Sequence, residues 1–144
     1  MNAIGSTPPA WFRIVAGLAL LWNLFGLFIY LHNAGVFGDP LADLDRAGRA
    51  FAATIPPWVG FAHAIAAFAG TVGVIGLLLG RRWARGLLFL SLLAILAQCG
   101  WLLLISGAVA AYGPSVAILS GAVIMVGILL AWLAQSGVRR GWLS

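Results

Sequence analysis

A chain of 144 residues that is 63% hydrophobic and only 8% charged, with a mean hydropathy of +1.08, carries too little charge to coat one water-soluble domain. Its formal net charge of +5 comes from eight basic residues, all arginines, without the interleaved aromatics of a nucleic-acid patch, so no nucleic-acid partner is expected. The lone cysteine, Cys99, excludes an intrachain disulfide and a cysteine-based metal cluster.

Four apolar runs follow one another, each close to the ~20 residues that a helix needs to cross a bilayer. The first covers residues 11–32. It carries two tryptophans and lacks a small-x-small cleavage site, so it reads as a retained helix rather than a signal peptide. The loop after it, "GDPLADLDRAGRAFAATIPPW" (38–58), holds all three acids of the chain, Asp39, Asp43 and Asp45. Asp39 is expected to cap a helix with Pro40 at its first position. Leu41, Leu44, Phe51 and Ile55 would share one face, Asp45 and Arg49 would pair at i, i+4, and Pro56-Pro57 would stop the helix. Such a helix lies on the outer surface, covering the bundle or acting as a lid.

The second span covers 58–80 and carries a stripe of small residues, Ala66, Gly70, Gly73, Gly76 and Gly80. That stripe suits close packing within the bundle, or against a second copy or a partner. "RRWAR" (81–85) leads into the third span, 86–105. "SGAVAAYGP" (106–114) reads as a linker broken by Gly113-Pro114 before the fourth span, 115–135. The fourth span repeats a looser small-residue pattern at Ala117, Gly121, Gly127 and Ala131. The predicted fold is an all-α integral membrane four-helix bundle in one domain, with a short amphipathic helix in the first, outer loop.

Six arginines (13, 81, 82, 85, 139 and 140) flank the spans on one side, and the acids lie on the other. The positive-inside rule then puts both termini in the cytoplasm. Trp11, Trp83 and Trp142 suit the inner interface; Tyr30, Trp58 and Tyr112 suit the outer one.

Polar residues inside the spans are few. Asn23 and Gln98 each lie about 18 Å from the inner edge, counted at 1.5 Å per residue, and so share a layer. His63 enters about 7–8 Å below the outer edge, toward the same layer. Trp22 and Trp101 sit too deep for an interfacial belt, each within a turn of a central amide. Two explanations compete. Asn23 and Gln98 pair as glue between helices, or Asn23, Gln98 and His63 bind a solute on which Trp22 or Trp101 stacks. His32 ends the first span and Cys99 reads as a packing residue.

No acid lies in any span and the chain has no glutamate, which excludes a proton-coupled multidrug antiporter built on a membrane carboxylate. There is no Ser/His/Asp set, HExxH, phosphate loop or His pair at metal spacing. No enzyme activity, catalytic residue, metal or cofactor is expected. "WFR" (11–13) and "WAR" (83–85) hint at a duplicated hairpin.

Four stretches, "PPAWFRIVAGLALLWNLFGLFIYL" (8–31), "IPPWVGFAHAIAAFAGTVGVIGLLLGRRWARGLLFLSLLAILAQ" (55–98), "YGP" (112–114) and "RRGWLS" (139–144), carry a resemblance over the whole chain. The chain resembles a family of small four-span bacterial membrane proteins often labelled "sugar transporter". The resemblance implies the four-span fold, a bacterial inner membrane and sugar transport. Members of that family tend to carry an acid before the Pro-x-Trp; "FAATIPPW" (51–58) has none, so no role for such an acid carries over. The three-span SWEET transporters with their Pro-Gln pair are a different pattern, and that fold is not implied. Two functions remain: a permease for a neutral solute such as a sugar, working as a homo-oligomer, or an accessory subunit packed against a larger membrane protein. Membrane lipid is a partner in either case.

Overall fold

The computed structural model describes residues 7–144. Helices α1 (Ala10–Asn33), α3 (Pro57–Leu78), α4 (Ala84–Leu104) and α6 (Ser115–Arg139) are each long and apolar enough to cross a membrane. Two short helices connect them, α2 (Arg46–Ala52) between α1 and α3, and α5 (Ala108–Tyr112) between α4 and α6. Among the described residues there is no strand. The fold is an all-α, membrane-type four-helix bundle.

The helices form an arc. α1 packs along α3, α3 along α4, and α4 along α6, while α1 and α6 have no extended contact with each other. The small residues of α3 explain the tightest seam, α3 against α4. A Cβ at Gly73 would sit 2.8 Å from Leu88 Cγ, and one at Gly76 would sit 2.7 Å from the Trp83 ring and 2.9 Å from Ala84 Cβ. The stripe is therefore consumed inside the bundle, and a second copy or a partner would have to use another surface. In lipid, where tails are as apolar as leucine, such close approach is the main source of helix association.

One end of the bundle carries the six arginines. Here α3 ends on Gly80 (φ 67°) and α6 on Gly141 (φ 71°), left-handed positions where glycine avoids the Cβ penalty. The Arg81 N–H donates to Gly76 O (2.8 Å) and the Trp142 N–H to Gly137 O (2.9 Å), closing both last turns. The chain after Gly141 then turns back into the molecule. The Ser144 N–H donates to Gly80 O (2.8 Å) and Ser144 O accepts from the Arg82 N–H (3.2 Å), tying the tail to the α3–α4 turn. Leu143 is 3% exposed and joins Phe12, Leu77, Leu88 and Leu133 in the main core. Trp142 stacks edge-on against both Trp11 (5.8 Å) and Phe12 (5.3 Å), with the Arg140 guanidinium 5.1 Å above its ring.

The opposite, loop end differs from the sequence expectation in detail. Asp39 does not cap α2. Its Oδ1 accepts from the Leu41 N–H (2.9 Å) and holds a turn instead. Asp45 is the cap, accepting from the Gly48 N–H at 2.7 Å. With Asp45 so engaged, Arg49 does not pair with it. Arg49 Nε donates to Leu44 O (3.0 Å), and a terminal guanidinium nitrogen donates to Ala42 O (3.2 Å). The 106–114 segment, expected as a linker, holds α5, and Tyr112 at its end meets Phe51 of α2 edge-on at 5.3 Å. The two connectors thus touch over the loop end.

Candidate functional site

Toward the loop end the four long helices part around a cavity of about 450 Å³. α1 contributes Trp22 and Asn23, α3 contributes His63, α4 contributes Gln98 and Trp101, and α6 contributes Ser120. All five residues singled out from the sequence, Trp22, Asn23, His63, Gln98 and Trp101, line this one space. Asn33 and Ile55 reach it from the mouth. No arginine, aspartate, glutamate or lysine lines it.

Asn23 and Gln98 share the cavity but do not bond to each other, which corrects the pairing expected from their depth. Counting residues placed them in one layer; it could not place α3 and the cavity between α1 and α4. Asn23 Nδ2 donates back to Ala19 O on its own helix at 2.8 Å. Its Oδ1 rests over Gly70, where an added Cβ would overlap it and also lie 3.0 Å from Ser91 Oγ. Gly70 is thus the notch that admits the amide. Below the main cavity a nook of about 20 Å³, lined by Trp22, Asn23 and Ser91 among apolar neighbours, has room for one water.

The cross-helix bonds nearest the two amides come from residues that sequence reasoning passed over. Ser91 Oγ of α4 donates to Ala66 O of α3 at 2.8 Å, fully inside the bundle. Thr71 Oγ1 of α3 lies 2.8 Å from Ala67 O and 3.5 Å from Asn23 O of α1. The available signal was a hydroxyl in an apolar span beside small residues, where backbone carbonyls come close enough to accept.

With the glue supplied by hydroxyls, the larger polar groups are left facing the cavity. Among the described residues, the Gln98 amide and both His63 ring nitrogens have no hydrogen-bond partner, while Asn23 borders the cavity with its Oδ1 seated over Gly70. His63 is oriented by ring contact, edge-on to Tyr30 at 5.5 Å. Tyr30 also meets Phe68 at 5.8 Å, which fixes the α1–α3 seam near the mouth. Trp101 is 8% exposed and forms a firm wall, whereas Trp22 is 39% exposed at the cavity rim. The Cys99 thiol lies beside the Ser120 hydroxyl, a polar pair in the α4–α6 wall. Among the described residues no group of three or more His, Cys, Asp or Glu side chains is placed to hold a metal.

The cavity can therefore offer neutral donors and acceptors and two indole faces to a guest, and it offers no formal charge. Comparison with protein-family models, with curated proteins and with solved structures returns no match to this chain.

Proposed function

We propose that this protein is a permease for a small uncharged solute, such as a sugar, in the bacterial inner membrane. The observation that carries the proposal is the gathering of Asn23, His63 and Gln98 around one cavity of about 450 Å³, with the His63 ring nitrogens and the Gln98 amide unpartnered among the described residues. Ligand pockets typically fall in the range of about 300–1,000 Å³, with mostly apolar walls and a few placed polar groups. An ion would find no counter-charge there, and leaving the polar groups unmatched in a low-dielectric site is costly. The resemblance to small four-span proteins labelled as sugar transporters points the same way.

The six arginines at the sealed end support a cytoplasmic placement of both termini by the positive-inside rule. The cavity then opens toward the outer side, with α2 and α5 near its mouth. The solute reaches the cavity in the outer half of the bundle, and passage requires the arginine end to part. Four helices leave a narrow path in one chain, which favours a homo-oligomer.

The test is uptake of radiolabelled neutral sugars into proteoliposomes. Gln98→Leu and His63→Leu are expected to abolish uptake while the protein keeps its size-exclusion profile. Undiminished uptake in both variants ends the proposal. A mild-detergent pull-down that returns a stoichiometric larger membrane protein, with no uptake by the purified chain, would instead make it an accessory subunit.

A further inference from the structure

We propose that the solute is an uncharged amphiphile, a hydroxyl-bearing head joined to an apolar chain, which enters sideways from the bilayer through the gap between α1 and α6. This rests on the cavity being a ligand site, and it narrows the class of ligand.

The gap follows from how the arc of helices closes. At the arginine end α1 and α6 meet, with Phe12 Cε2 within 3.4 Å of the position a Cβ would take on Gly137. Away from that end α1 leans on α3 and α6 on α4, and they have no extended contact with each other. Both nevertheless line the same cavity, α1 through Phe25 and Ile29 and α6 through Leu119 and Val123. Phe25 is 60% exposed and Leu119 is 63% exposed, so the two rims of the gap are apolar and open. On helices that cross a membrane, that opening faces hydrocarbon.

Two features of the interior then select the guest. The walls near the gap are mostly apolar, and a free sugar that met the amides with its hydroxyls would leave Phe25, Ile29, Leu119 and Val123 uncovered. The polar groups lie deeper, at Asn23 and Gln98, and a plain acyl chain would leave them unmatched. A molecule with a neutral polar head at the amides and an apolar body in the gap satisfies both. A charged head is excluded because no Asp, Glu, Arg or Lys lines the cavity to pair with it.

The experiment uses the full chain in phosphatidylcholine nanodiscs and a photoactivatable octyl glucoside as the probe. Labelled residues are mapped by mass spectrometry. Labelling is expected to concentrate on 22–29, 95–102 and 119–123. Excess unlabelled octyl glucoside is expected to displace the probe about tenfold more effectively than glucose, a preference worth about 1.4 kcal/mol. Leu119→Trp, at an exposed rim position, is expected to weaken labelling by narrowing the gap without unfolding the bundle. Equal competition by glucose would overturn the amphiphile while leaving a solute site in place. Labelling spread evenly over the lipid-facing helices, reduced by neither competitor, would also overturn it; equilibrium dialysis with radiolabelled glucose on the same nanodiscs then decides the broader solute site separately.

Discussion

The interiors at the two ends of this bundle are walled largely by the same apolar residue types, and yet one is closely packed and the other is hollow. At the arginine end, glycines on α3 let Trp83 and Leu88 press into the helix, and the returning tail inserts Leu143 and Trp142 between α1 and α6. At the loop end α1 and α6 have no extended contact with each other, and both line the cavity. The contrast teaches that apolar content does not decide where a membrane bundle is filled. Close approach of backbones and the path of the connecting segments decide it, because lipid gives no hydrophobic push to close a gap.

Four experiments would break or sharpen that contrast. Leu143→Ala removes a 3%-exposed side chain from the sealed end and should cost about 2–5 kcal/mol, read as a lowered unfolding midpoint in mild detergent. An unchanged midpoint would mean the tail does not seal that end. Gly76→Ala forces a methyl group against Trp83 and Ala84 and should cost about 1–3 kcal/mol by the same assay. Free tolerance of this change would deny the tight α3–α4 seam.

At the loop end the effects should be smaller and more local. Asp45→Ala removes the cap of α2 and should cost that helix about 1 kcal/mol, seen as faster amide exchange over 46–52 with no loss in the four long helices. Faster exchange throughout the long helices would show that α2 holds the bundle together. Smallest of all is the coupling between Asn23→Leu and Gln98→Leu. The two amides share a cavity without a bond between them, so their effects on stability should add to within about 0.5 kcal/mol. A larger coupling energy would restore the pairing of the two amides.

Much of this architecture is legible along the chain. The four helices follow from run length, although Gly80, read as part of a packing stripe, is the left-handed residue that ends α3. The cavity-lining set is legible too, because Asn23, His63 and Gln98 are the large polar side chains in the middle of otherwise apolar spans. Depth counted along a helix axis is one-dimensional, and the residues it groups line one cavity. The partners of those residues are not legible. Asn23 turns to Ala19 on its own helix, and the bonds between helices in its neighbourhood fall to Ser91 and Thr71, because contact depends on rotation about the axis and on which helices adjoin. The cap of α2 also shifted from Asp39 to Asp45, since the stretch with Pro40 is satisfied by a turn.

The sequence by itself determined a four-span, charge-poor bundle, its arginine-rich end, and the neutral polar residues held at depth, since these depend only on composition and spacing. Only the tertiary structure decided that the α3 stripe is spent on α4, that the tail seals one end, and that α1 and α6 stand apart over a shared cavity. Those depend on the order of helices around the bundle, which periodicity along one chain does not encode.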